Sequence, residues 1–124
     1  MRIEPCSTFD EAFADLQSVV AKCSPDDEQS PVDPMSVLLA VRVLTLLIDG
    51  GFPKPDFGID PDGEVTMDWQ PCKGRLFSMA VLSNSDLIYA WILNKNHGNG
   101  FLPFDLVTIP PEIISKLCAA TIED

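Results

Sequence analysis

Apolar residues recur at helical spacing twice near the start of the chain and once near its end, and they alternate with polar residues in between. Phe9, Phe13, Leu16 and Val20, widened by Val19 and Cys23, predict a helix from Phe9 to Cys23. Thr8 stands three residues before Glu11, the spacing of a capping box. Asp10, Glu11 and Asp15 load the early turns with the charge that the helix dipole favours there. Pro25, Pro31 and the run Asp26-Asp27-Glu28 then break the periodicity, so Ser24 to Asp33 reads as a solvated link. Asp33-Pro34 is a cap followed by proline at the first helical position, and it predicts a second helix from Met35 to about Ile48. Gly50-Gly51 stops this helix, and Pro53 follows. Leu38, Leu39, Val41, Val43, Leu44, Leu46, Leu47 and Ile48 cover most of its circumference. A helix apolar nearly all round is either central to a core or buried partly by another chain.

From Phe57 the period shortens. Pro61-Asp62-Gly63 is a turn signal, and Glu64 to Trp69 alternates as a half-buried strand does. Val65, Met67 and Trp69 are expected to face the core, and Glu64, Thr66 and Asp68 to face water or a partner. Gln70 to Arg75 reads as a turn, Leu76 to Leu82 as a second strand, Ser83 to Asp86 as a turn and Leu87 to Leu93 as a third strand. Both later strands are apolar on both faces, so helices should cover one side. Phe57 to Asp60 offers an additional edge strand. Asn94 to Gly100 is polar and glycine-rich and reads as a loop. Phe101 to Ile109 is mixed, with Leu106-Val107-Thr108 extended. Pro110-Pro111-Glu112 opens a last helix to about Ala120, with Ile113, Ile114 and Leu117 on one face. The expected fold is a single α+β domain over residues 1–124. Two N-terminal helices pack on a three- or four-stranded antiparallel sheet, and a short C-terminal helix closes it.

The stretch from Pro53 to Trp91 adds a resemblance. Phe52-Pro53-Lys54-Pro55, Asp62-Gly63-Glu64-Val65-Thr66-Met67-Asp68-Trp69 and Ile88-Tyr89 follow an apolar helix. This order is similar to that of small uncharacterised bacterial α+β proteins in which an Asp-Gly turn leads into a Trp-ended strand. Such proteins belong to mobile-element, defence or antitoxin-like settings. The resemblance implies a protein-binding or regulatory role; it carries no catalytic residue across and names no partner.

Length and composition narrow the class. A chain of 124 residues buries about two-thirds of its unfolded surface on folding. Its 46% hydrophobic content is enough to offset chain entropy, which excludes disorder as a whole. The most apolar run, Val37 to Ile48, contains Arg42 and falls short of the roughly 20 residues a membrane span needs. No apolar run follows Met1-Arg2-Ile3-Glu4-Pro5-Cys6, so a secretory signal is not expected. Cys6, Cys23, Cys72 and Cys118 form no C-x-x-C pair and are expected as free thiols in a reducing cytoplasm.

The common chemistries each lack part of their residue set. Asp60-Pro61-Asp62-Gly63 resembles the middle of a calcium loop, but the EF-hand frame would set Gly58 and Trp69 as its first and last ligands, so an acidic turn is expected and no metal. The single histidine, His97, is far in sequence from every cysteine. As a general base it would need Cys72 or Cys118 in space, and no flanking motif supports that. Glu64 and Asp68 lie on one strand face roughly 13 Å apart, beyond the usual glycosidase pair. Gly98-Asn99-Gly100 lacks the spacing and the following Lys-Ser or Lys-Thr of a phosphate loop. Arg2, Lys22, Arg42, Lys54, Lys73, Arg75, Lys95 and Lys116 are scattered, which disfavours direct nucleic-acid binding. No catalytic residue and no cofactor is expected.

Charge is the remaining signal. Lys plus Arg is 8 against 19 Asp plus Glu, a net charge of −11. Between Asp49 and Asp68, the acids Asp49, Asp56, Asp60, Asp62, Glu64 and Asp68 face Lys54 alone. Such a surface steers a basic partner. The expected function is therefore a small acidic, non-catalytic protein-binding module, an inhibitor or antitoxin-like factor that is DNA-mimic-like at the extreme. Its contacts with a basic protein or complex would come from Asp60, Asp62, Glu64 and Asp68. Two alternatives stand beside it. One is a small-ligand-binding or enzymatic domain using the 94–100 loop, with an apolar cavity lined by Trp69, Tyr89 or Trp91. The other is a structural homodimer through the Met35–Ile48 helix.

Overall fold

The computed structural model describes residues 8–22 and 32–121. Cys6, Cys23, the acidic run Asp26-Asp27-Glu28 and the side chain of Thr8 lie outside the described residues and atoms. The described elements are α1 (Thr8–Lys22), α2 (Pro34–Asp49), β1 (Asp56–Ile59), β2 (Val65–Cys72), β3 (Arg75–Val81), β4 (Asp86–Leu93), β5 (Asn96–Pro103) and α3 (Pro111–Thr121). The five strands form one antiparallel sheet in chain order, a simple meander. The fold is α+β, and the sheet has five strands instead of three or four.

Two elements account for the difference. Phe57 to Asp60, the optional edge strand, pairs with β2 through Phe57↔Met67 and Ile59↔Val65. The stretch expected as a loop, Asn94 to Gly100, is mostly β5; only Asn94 and Lys95 turn, with Asn94 at φ 61° as a tight hairpin requires. The sequence hides this strand because glycines occupy two of its inward positions, 98 and 100. A Cβ on Gly98 would stand 2.6 Å from the Trp91 ring, and one on Gly100 2.8 Å from the Tyr89 hydroxyl oxygen. Glycine is thus the partner over which both neighbouring aromatic side chains lie. Residues 106–108 are not extended: Leu106 sits at φ 71°, in a turn where Asp105 Oδ1 accepts the N–H groups of Val107 and Thr108.

One sheet face carries the core. Val65, Met67, Trp69, Phe77, Met79, Val81, Leu87 and Tyr89 are all buried, at the period of two that a strand imposes. They pack with Leu16 of α1, with Leu39, Ala40, Val43 and Leu47 of α2, and with Ile113, Leu117 and Ala120 of α3. Helix α1 lies against β1 and α2, α2 against β2 and β3, and α3 against β2, β3 and β4. Of the apolar girth of α2, Leu39, Val43, Leu44 and Leu47 are buried within the chain, Val41, Leu46 and Ile48 are half-buried, and Met35 and Leu38 are exposed.

Polar side chains fix these layers. Asp33 caps α2, its Oδ1 accepting from Met35 N–H at 2.9 Å and Ser36 N–H at 3.4 Å. Ser36, fully buried, donates to the Val81 carbonyl at 2.5 Å and accepts the Val65 N–H at 2.9 Å, tying α2 to the sheet. Trp69 Nε1 donates to the Pro53 carbonyl at 2.8 Å, and the Tyr89 hydroxyl donates to Glu112 of α3 at 2.6 Å.

Candidate functional site

The acids expected to bind a partner fall into two groups. The first sits on the turn between β1 and β2. Pro61 fits the first corner of this turn, and Gly63, at φ 86°, takes the left-handed corner. The Asp60 N–H donates to the Glu64 carbonyl at 2.9 Å, and Asp60 Oδ1 accepts the N–H groups of Asp62 and Glu64 at 3.0 and 2.9 Å. The Gly63 carbonyl accepts the Asp33 N–H at 2.8 Å, which seats the turn beside the first residues of α2. Asp33, Asp60, Asp62 and Glu64 thus gather at the positive end of a helix dipole, where anionic groups are stabilised. One carboxylate oxygen from each of Asp60, Asp62 and Glu64 lies within 4.8 Å of the others. These are the oxygens that a cation would meet at this turn, although Asp60 Oδ1 already serves two backbone N–H groups. Burial pushes the Glu64 carboxyl above its ordinary value, the Asp60 charge adds to the rise, and a hydrogen bond from the Ser83 backbone opposes it.

Asp68 stands apart from this group, further along β2. Its cross-strand neighbours are Asp56 on β1 and Ser78 on β3, and the Ser78 hydroxyl donates to Asp68 Oδ1. Two like charges directly opposite on adjacent strands destabilise a sheet unless a cation offsets them. Lys54 is close enough to Asp56 for the two charges to interact, while its ammonium pairs with Asp15 at 2.9 Å and Glu11 at 3.8 Å. Asp56 is therefore a neighbour of Asp68 that register reveals and that the linear acid count leaves undistinguished.

Both Asp56 and Asp68 point to the sheet face opposite the core. Across that face, one row reads Asp56, Asp68, Ser78, Ala90, Asn99, and the next reads Gly58, Thr66, Ala80, Ile88, Phe101. Acids stand at one side and apolar groups at the other. Small side chains at Ser78, Ala80 and Ala90 leave a shallow groove of about 340 Å³, bordered by Ile88 and Phe101. Phe101 is 69% exposed and Ile88 45%. Strands β3 and β4 read as apolar on both faces, but side-chain size differs between those faces. The covered face carries Phe77, Met79, Leu87 and Tyr89, whereas the open face carries Ser78, Ala80 and Ala90 among the larger Leu76, Ile88 and Ile92. The small volume of Ser78, Ala80 and Ala90, not hydropathy, is the signal for this groove.

The residues of the enzymatic alternative are not brought together. His97 is exposed on the open face of β5, next to Ile92 of β4. Cys72 ends β2, three strand spacings or roughly 14 Å away. Cys118 belongs to α3, which packs on the other face. The rings of Trp69 and Tyr89 are built into the core with Phe77, whose ring stacks on Tyr89 at 6.0 Å. Trp91 lies beneath the Lys116 ammonium, 4.3 Å from its ring centroid. No helix among the described residues is long and apolar enough to cross a membrane.

Comparison of the chain with protein-family models, with curated proteins and with solved structures finds no match.

Proposed function

We propose that this chain is a non-catalytic protein-binding module, of inhibitor or antitoxin type, that engages a basic partner through the open face of its sheet. The observation that carries this reading is the one-sided packing of the sheet. Every described helix lies on one face, and the other combines an apolar groove at β3–β5 with carboxylates at β1–β2. Interfaces of this kind gain affinity from a few apolar anchors in a pocket and gain specificity and encounter rate from charge at the rim. An apolar side chain of the partner would enter over Ala90, beside the opposed pair Ile88 and Phe101. Cationic side chains beside it would meet Asp68 and Asp56, with Glu64, Asp60 and Asp62 extending the negative field at the end of the strands.

The test compares capture by the native chain with capture by two variants, from lysate of the source organism at low and at moderate salt. Ala90→Arg fills the groove without touching the core. Asp68→Lys with Glu64→Lys reverses the charge of the rim. The expected result is one stoichiometric basic partner, held by the native chain at low salt, weakened at moderate salt and lost by both variants while their melting temperatures stay close to native. Equal capture by all three proteins would refute this surface.

A further inference from the structure

The two edges of the sheet are finished differently. An edge strand presents unpaired backbone N–H and C=O groups, and proteins blunt it with short length, charge, proline or a covering helix. Strand β1 has all of these: four residues, Asp56, Pro55 before it, Pro61 after it, and α1 packed against it. Strand β5 has eight residues, no Asp, Glu, Lys or Arg, and no proline before its last position. Among the described elements it contacts β4 alone.

Register says which groups this edge offers. Leu93 and Asn96 flank the two-residue turn, so they form a hydrogen-bonded pair, and the pairs Trp91↔Gly98, Tyr89↔Gly100 and Leu87↔Leu102 follow at the same phase. The next even position continues it, since the Phe104 N–H donates to the Ser85 carbonyl at 2.9 Å. His97, Asn99 and Phe101 therefore aim both N–H and C=O outward, away from β4. Among the described residues, no further strand lies beyond this outward set.

We infer that the β5 edge is a self-association surface, and that a second copy of this chain occupies it by antiparallel pairing about a two-fold axis at Asn99. In that register Asn99 faces Asn99 and His97 faces Phe101 of the second copy, so every outward donor meets an outward acceptor. A shift by one outward pair in one direction would set Pro103, which has no N–H, against His97, and in the other it would set Phe101 against Lys95 of the turn, so either loses a strand pair. Charge favours a second copy here and nowhere else on the sheet. Two β5 strands bring no like charges together, whereas Asp56 and Asp68 lie on β1 and β2; the one acid on β4, Asp86, stands beside Pro103, four residues along β5 from the axis. Four strand spacings of about 4.8 Å put β1 roughly 19 Å from β5, more than two screening lengths of about 8 Å at physiological salt. The dimer would be a continuous ten-stranded sheet. Its axis is perpendicular to the sheet, so the two open faces stay on one side, and Phe101, the most exposed of the large apolar side chains described, sits at the junction.

The test is sedimentation and light scattering of the full chain over a range of micromolar concentrations. The expected result is a concentration-dependent dimer of twice 13.6 kDa. Asn99→Pro removes the outward N–H groups at the axis and should raise the dimer dissociation constant roughly tenfold or more. Asn99→Lys leaves the backbone intact, sets two ammonium groups opposite each other and should weaken the dimer in the same direction. Asn99→Cys, mildly oxidised and mapped by mass spectrometry, should cross-link the two copies through a disulfide between their substituted positions, because opposed Cα atoms about 5.5 Å apart suit such a bond. A monomer at all concentrations overturns the inference. So does a dimer that persists unchanged in Asn99→Lys and gives no such cross-link in Asn99→Cys, which would move the interface to another face such as the exposed side of α2.

Discussion

Ser36 gives the sharpest test of how the helical layer is held to the sheet. Its hydroxyl donates to the Val81 carbonyl and accepts the Val65 N–H, and all three residues are fully buried. Ser36→Ala removes one oxygen atom and orphans two backbone groups. The space left is too small for a water molecule to replace the hydroxyl. Each unsatisfied buried group costs about 1–3 kcal/mol, and alanine regains a few tenths as the better helix former. The net loss is about 2–4 kcal/mol after partial relaxation. For a chain of this length that corresponds to a fall in Tm of about 6–16 °C. The assay is urea unfolding followed by tryptophan fluorescence, where the midpoint should drop and the slope stay constant. Ser115→Ala, on the exposed side of α3, is the control and should change stability by less than about 0.5 kcal/mol. A loss below about 1 kcal/mol for Ser36→Ala would show that the hydroxyl does not hold these layers together, and the clamp would have to be abandoned.

Two other perturbations probe different contacts. Tyr89 is the single tyrosine, so ultraviolet titration of tyrosinate reads this hydroxyl alone. Its hydrogen bond to Glu112, with burial and the Glu112 charge adding, pushes its pKa up to about 12 from 10.0. The native midpoint should lie well above that of the unfolded chain, and Glu112→Gln should lower it; a native midpoint near 10.0 would contradict the bond. The raised value favours the protonated phenol, so this contribution to stability is complete below pH 10.0 and is lost as pH rises through about 12. Asp33→Ala removes the cap of α2 and should cost about 1 kcal/mol by chemical denaturation. It also removes one of the charges that raise Glu64, so the Glu64 carboxyl should titrate lower when followed by NMR; an unmoved Glu64 would separate the cap from the acidic turn.

The helices are legible in the sequence because each signal is local. Asp33-Pro34 and Gly50-Gly51 bracket α2 through capping and helix-stop chemistry, and the stripe at Phe9, Phe13, Leu16 and Val20 marks α1. The alternation from Val65 to Trp69 places the core face of β2 correctly. Strand β5 is not legible. Two of its inward positions are Gly98 and Gly100, and their reason is the size of Trp91 and Tyr89 on the neighbouring strand, which only pairing reveals. The candidate surface is legible in part. Asp60, Asp62 and Glu64 share a turn because Pro61 and Gly63 shape it, whereas the opposition of Asp56 and Asp68 depends on register across β1 and β2. The groove depends on small residues in two strands meeting on one face, a coincidence that no single strand displays.

The meander order has a consequence for the speed of folding. Each strand pairs with its neighbour in the chain, so the sheet is built from hairpins closed by turns of two to five residues, and no pairing waits for distant chain ends to meet. The entropy of closing a loop grows with its length, and hairpins of this kind form on a scale of about 1–10 μs. The sequence-distant contacts are those of the helices, with α3 returning to β2 and α1 reaching β1. Docking of the helices onto the sheet is then the step expected to limit the rate. The face that they cover is the one lined by Phe77, Met79 and Tyr89, while the open face takes its shape from strand pairing alone.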